Sequence, residues 1–189
     1  MLSRPVMIAV VQAHPYPDRS RANRILASAI DDLPGIVVRS LYDLYPDYAI
    51  DVEAEQRVLA AADVVVWQHP LFWYTTPALQ KLWFEKVLTP GFAYGPGGDA
   101  LRGKGCLWVV TTGGDDADYE PMGLHGHVFD TFAAVVRQTA IFCGMTWLDP
   151  LLVHAATRVD DETLIAWGTQ YRARLIELGG AAAEEVANG

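Results

Sequence analysis

Eleven residues near the amino terminus, His14-Pro15-Tyr16-Pro17-Asp18-Arg19-Ser20-Arg21-Ala22-Asn23-Arg24, hold three Arg against one Asp in a chain whose formal net charge is −9. Such a reversal of charge at a helix start can capture an anion. The first backbone N–H groups of a helix have no internal acceptor and stand at the positive end of its dipole. With Ser20, Asn23 and His14 beside them, the chemistry these residues suit is phosphate binding. No Gly-rich turn accompanies them, which argues for a terminal monophosphate or pyrophosphate rather than a dinucleotide laid across a tight bend. The same residues also read as a Ser cap beside a solvated basic face.

Two further segments have unusual composition. Pro70-Leu71-Phe72-Trp73-Tyr74-Thr75-Thr76-Pro77 places three successive aromatic residues between prolines, a run suited to walling a flat apolar ligand. Thr111-Thr112-Gly113-Gly114 offers paired glycines that let backbone approach a ligand closely. Each could also be a packed loop or a simple turn. Together, an anion cradle, an aromatic wall and a glycine approach suit a phosphorylated planar cofactor, and flavin is the natural candidate.

Other motifs fail on context. Gly98 to Gly105 (GDALRGKG) imitates a phosphate-binding P-loop but ends in Gly105 where a hydroxyl should bind magnesium, and it precedes a strand instead of following one. Gly95, Gly97 and Ala100 imitate a dinucleotide fingerprint without the preceding strand. His125 and His127 lack the neighbouring ligands a metal needs, so no metal site is expected. The acidic balance argues against nucleic acid. Cys106 and Cys143 fit free thiols in a reducing compartment, not a disulfide scaffold.

The elements that must position these loops follow from hydrophobic periodicity. A chain of 189 residues has the size of one domain. Val6–Gln12, Ile36–Leu41, Val64–His69, Cys106–Thr112 and Thr146–Val153 read as strands buried on both faces. Met1–Val11 has neither the length of a membrane span nor a small-residue cleavage site, and reads as a first strand in a soluble protein. Helical spacing separates the strands: Ser20–Ile30, Val52–Ala62, a helix opened by Thr76 and Pro77, and stripes through Phe129–Ala140 and Leu164–Leu178. Alternation of this kind predicts an α/β fold with a five-stranded parallel sheet covered on both faces, residues 1–178 forming the domain and 179–189 a frayed, flexible tail. Ligands then bind in loops at the carboxyl ends of strands.

The blocks HPYPDRSRAN (14–23), QHPLFWY (68–74), PALQKLWFEKV (77–87), FAYG (92–95), TTGG (111–114) and YEPMGLHG (119–126) resemble the flavodoxin-fold NAD(P)H:quinone oxidoreductases. The resemblance spans Val6 to Leu178 and is nearest to the ancillary flavoproteins of glutathione-gated potassium efflux systems, including SLYDLYPD (40–47). It implies a flavodoxin-like three-layer sandwich with sheet order 2-1-3-4-5. It also implies an enzyme that passes hydride from NAD(P)H through flavin N5 to a quinone or similar acceptor. By resemblance His14, Ser20, Arg21, Ala22 and Asn23 hold the flavin phosphate, and Leu71, Phe72, Trp73, Tyr74, Thr111, Thr112, Gly113 and Gly114 line the ring. Tyr119 and His125 stand near its pyrimidine side, where a phenol and an imidazole can stabilise the negative charge that hydride transfer leaves. Tyr94 closes the substrate pocket from a partner chain in a homodimer. Phe72 departs from the Gln usual in the family. FMN is favoured over FAD, and the second implied role is a regulatory subunit of a potassium efflux transporter. The implied location is the cytoplasm, reaching the inner membrane's cytoplasmic face through that transporter.

Overall fold

The computed structural model of the chain describes residues 6–188; Met1–Pro5, the start of the expected domain, and Gly189 lie outside the described residues. The backbone forms β1 (Ile8–Gln12), α1 (Arg21–Ser28), β2 (Ile36–Ser40), α2 (Leu41–Leu44), α3 (Val52–Ala61), β3 (Val64–Pro70), α4 (Ala78–Val87), β4 (Gly105–Thr111), α5 (Asp130–Phe142), β5 (Thr146–Trp147), β6 (Leu151–Val153) and α6 (Asp161–Asn188). The strands make one parallel sheet in the order β2-β1-β3-β4-β5, with β6 also paired to β4.

Alternation along each strand sends side chains to two separate cores. Ala9, Val11, Val65, Trp67, Cys106, Trp108 and Val110 pack with residues of α3, α4 and α5. Ile8, Val10, Val64, Val66, Leu107 and Val109 pack with α1 and α6. The result is three layers; the central strands β1, β3 and β4, covered on both faces, are largely apolar, whereas the edge strand β2 is only partly buried and carries Arg39 and Ser40, so it is not the strand buried on both faces that its composition suggested.

Three local details differ from the sequence reading. The fifth strand position is occupied by two short segments, interrupted over Leu148-Asp149-Pro150, because Pro150 has no N–H to donate to the ladder. Thr76 does not cap α4; the helix begins after Pro77, and the buried Thr76 hydroxyl has no partner among the described residues. Helix α6 continues past Leu178, through Gly179 and Gly180, to Asn188. Elsewhere the caps are those expected from residue type: Ser20 accepts from the Asn23 N–H at 3.3 Å, and Asp51 opens α3 by accepting from the Ala54 N–H at 2.9 Å.

Beneath α3 and α4 lies an ionic knot. The buried Glu55 carboxylate accepts from Arg39 Nε at 2.9 Å, from the Tyr45 hydroxyl at 2.6 Å and from Trp83 Nε1 at 3.0 Å. With a cation and neutral donors around both oxygens, the buried charge is compensated.

Candidate functional site

Since β2 and β3 flank β1 on opposite sides, the connections leaving β1 and β3 diverge and open a crevice at the carboxyl end of the sheet. A cavity of about 590 Å³ lies there, inside the ~300–1,000 Å³ range of small-molecule sites. His14, Ser20, Arg21, Ala22, Asn23, Leu71, Phe72, Thr111, Thr112 and Gly113 border it, so three loops far apart in the chain converge as expected. Tyr16, Arg19 and Pro70, from those same segments but not assigned to the ligand, also border it, as do Ala156 and Thr157, which the sequence reading did not mention.

The anion cradle is built by α1. Ser20 Oγ accepts from the Asn23 N–H and, at 3.1 Å, from Asn23 Nδ2, which also reaches Thr111 Oγ1 at 3.2 Å. The hydroxyl protons of Ser20 and Thr111 therefore remain to be donated elsewhere. The Arg21 and Ala22 N–H groups, at the first turn, have no intrahelical acceptor. Asn23 Oδ1 is buried without a partner among the described residues. His14 Nδ1 accepts from the Tyr16 N–H at 3.1 Å, so the neutral ring carries its proton on Nε2. Burial lowers the pKa of His14 and favours that neutral form. The Arg21 guanidinium is turned away, bonded to the Val159 carbonyl and 3.4 Å from Asp161 Oδ1. Arg21 thus offers the cradle its backbone, not its charge.

The aromatic loop folds as a tight turn in which Phe72 and Thr75 exchange both backbone hydrogen bonds at 3.0 Å. Its two central residues, Trp73 and Tyr74, take φ of 49° and 64°, a backbone usually given to Asn and Gly. The Phe72 ring meets His14 edge-on at 5.9 Å and borders the cavity, whereas the Trp73 indole is 91% exposed.

Tyr119 and His125 lie together, ring centroids 4.4 Å apart. Tyr74 joins them through its hydroxyl, 3.4 Å from His125 Nδ1. A Cβ on Gly114 would stand 3.1 Å from His125 Nε2 and from Tyr119 Cε2, so any side chain here would push against the pair, and glycine lets the β4 loop run close to it without that shift. His125 Nε2 is buried and has no partner among the described residues. Burial raises the pKa of Tyr119 against an opposing contribution from the Thr112 side chain, which keeps the phenol protonated. Trp73, Tyr74, Gly114, Tyr119 and His125 do not border the cavity beneath the cradle; they continue the same face beyond Thr112 and Gly113.

His154 belongs to this cluster although its neighbours in sequence carry no signal for it. It follows β6, its Nδ1 is 2.9 Å from Thr112 Oγ1, and its ring is 5.3 Å from that of Tyr119. Tyr94 does not join the cleft of its own chain. It packs on Phe142 at 4.9 Å and borders a separate cavity of about 210 Å³ between α4 and α5.

The sheet order and the cleft define a doubly wound α/β protein with an anion cradle and an aromatic-walled site at its switch point. The chain belongs to the family described as having the flavodoxin-like fold, whose sequence pattern matches residues 7–175. The glutathione-regulated potassium-efflux system ancillary protein KefF of Klebsiella aerogenes is 49% identical over 171 residues, 90% of this chain and 96% of that protein. General stress protein 14 of Treponema denticola, solved in complex with FMN, is 31% identical with a TM-score of 0.85, covering 91% of this chain and 99% of the other. An NADPH-quinone reductase from P. pentosaceus is 25% identical with a TM-score of 0.82, covering 89% and 97%.

Proposed function

We propose that the chain is a flavin-dependent NAD(P)H dehydrogenase that reduces quinones or similar acceptors, with FMN as the bound group. The observation that carries this reading is the His125 Nε2 atom, buried without a partner among the described residues beside Tyr119, whose hydroxyl meets Thr112 at the border of the cradle cavity. In the tautomer with the proton on Nε2, the Tyr74 hydroxyl donates to Nδ1 and the Nε2–H meets no acceptor among the described residues. FMN solved in a relative 31% identical supports the choice of cofactor.

The residues fit the group. Backbone N–H groups of Arg21 and Ala22, the Ser20 hydroxyl and His14 Nε2–H would hold its phosphate, and the orphaned Asn23 Oδ1 is an acceptor for a ligand hydroxyl. Leu71 to Tyr74 and Thr111 to Gly114 would line the ring. When bound, the flavin supplies the redox chemistry, taking hydride from a nicotinamide and passing it to the acceptor. Tyr119 and His125 then each hold a proton where negative charge develops, an electrostatic role fixed in advance by packing. One open cleft serves donor and acceptor in turn. Purified protein should show a flavin absorbance spectrum and parallel double-reciprocal lines for NAD(P)H and quinone; intersecting lines would overturn the shared site.

A homodimer is part of this reading. Val135 and Phe142 are exposed on α5 beside Tyr94, and a second copy covering that face supplies the residue that the cleft lacks in one chain. Light scattering tests it, a monomer at micromolar concentration being the contrary result.

A second reading rests on the relative named as an ancillary protein of a potassium-efflux system. Here the chain regulates such a transporter from the cytoplasmic side of the inner membrane, with the redox activity secondary. No helix among the described residues is long and apolar enough to cross a membrane, so that role requires a protein contact. Co-purification with the transporter supports it, and normal efflux in a deletion strain argues against it.

A further inference from the structure

The three arginines of the first loop have three destinations. Arg21 spends its guanidinium on Val159 and Asp161 at the start of α6. Arg24 lies on another surface, bordering a groove between α1 and α6 with Ser28 and Ile165. Arg19, on the one-turn 3-10 helix Pro17–Arg19 that leads into the cradle, borders the cleft itself. Its Cζ stands 5.9 Å from the centroid of the Tyr16 ring, and it makes no ion pair among the described residues, Asp18 included. An unpaired cation at the mouth of an anion cradle, in a chain of net charge −9, has a ligand's charge as its natural counterpart.

A second observation points to the same ligand end. Ser20 Oγ, buried at the border of this cleft, accepts twice and keeps its own proton free for an anion's oxygen, while the unpartnered Asn23 Oδ1 beside it can only accept and so suits a ligand hydroxyl next to the phosphate. Among the described residues the cradle therefore holds neutral donors in place but no side-chain cation other than Arg19 that is not already engaged.

We propose that Arg19, steadied on the face of Tyr16, is the side-chain cation for a terminal phosphate monoester at this cradle, and so makes the site select FMN over riboflavin. This rests on the flavin reading above. A guanidinium matches phosphate oxygens two at a time, and a monoester carries close to two negative charges at neutral pH. The aromatic face limits the motion of the guanidinium, so less order is lost when phosphate arrives.

The test is a fluorescence titration of flavin-free protein with FMN and with riboflavin, for wild type, Arg19→Ala, Arg19→Lys and Arg24→Ala, with circular dichroism confirming that each variant is folded. Arg19→Ala should weaken FMN ~10- to 100-fold and leave riboflavin unchanged. Arg19→Lys should recover part of the loss, and Arg24→Ala, which removes the same charge elsewhere, should bind both flavins as wild type does. Equal losses of FMN in Arg19→Ala and Arg24→Ala would mean a diffuse field and overturn the proposal. Equal losses of FMN and riboflavin in Arg19→Ala would mean that Arg19 shapes the loop, and also overturn it. A wild type that binds riboflavin as tightly as FMN overturns the proposal alone, whereas one that binds neither overturns the flavin reading with it.

Discussion

The Nδ1 atom of His154 lies 2.9 Å from Thr112 Oγ1, tying the turn after β6 to the loop that ends β4. Thr112 has a single hydroxyl proton and donates it to the Gly114 carbonyl at 2.8 Å, so toward His154 it accepts and Nδ1 must carry the hydrogen. The opposite nitrogen, Nε2, is 3.7 Å from Asp116 Oδ1. This histidine thereby braces the Thr112-Gly113-Gly114 segment against which Tyr119 and His125 pack. His154→Ala should leave the fold intact and weaken FMN binding about fivefold, the equivalent of one net hydrogen bond of ~1 kcal/mol. Flavin titration of the variant checks it, and unchanged affinity would remove His154 from the site.

Tyr119→Phe and His125→Leu each remove one proton donor without emptying the cradle. Both variants should bind FMN with near wild-type affinity and reduce it ~100- to 1,000-fold more slowly, the scale of losing one preorganised donor. Anaerobic stopped-flow with NAD(P)H measures the rate, and equal rates for both variants and wild type would end the assignment.

Glu55 is buried, with Arg39, Tyr45 and Trp83 all donating to it. Glu55→Ala leaves a half-buried guanidinium and two side-chain donors without their acceptor. A loss of ~3–5 kcal/mol is expected, because one member of a buried ion pair is removed. Urea unfolding checks it, and a midpoint within error of wild type would mean that the knot contributes nothing.

His69 makes stability depend on pH. Its ring is fully enclosed, Nε2 accepting from Trp108 Nε1 at 2.9 Å and Nδ1 donating to the Pro70 carbonyl at 3.0 Å, and burial pushes its pKa down to about 4. The unfolded chain, with an ordinary histidine near 6.5, binds the proton first as pH falls. The contribution of His69 is therefore whole above pH 6.5 and declines between 6.5 and about 4, by ~3 kcal/mol in all. Urea midpoints at pH 7.5 and 5 should differ in wild type and differ less in His69→Gln.

Trp73 combines a left-handed backbone with an exposed side chain, so folding gains little from the indole and loses something to strain. Trp73→Asn should raise stability by ~0.5–1 kcal/mol, since Asn tolerates that conformation. The same variant should bind acceptor less tightly if the strained turn serves the ligand. Thermal melts together with quinone KM values decide the matter, and a destabilised variant would show that the indole packs productively.

Periodicity and local chemistry were enough to reveal the order of strands and helices, the Ser20 cap and the three convergent loops, while the Tyr119–His125 pair was legible only through the family resemblance. These features depend on residues a few positions apart, or on the rule that parallel sheets gather their loops at one end. Spacing alone could not show that Arg21 turns its charge toward Val159 and Asp161, about 140 residues on, leaving Arg19 at the cleft. Nor could it show that His154 braces Thr112, or that Tyr94 packs away from its own chain's cleft. Each is a contact between elements distant in sequence, and its geometry is set by how helices and strands pack. Sequence determined which residues could do the chemistry; tertiary packing decided which of their atoms are committed elsewhere and which are left for a ligand.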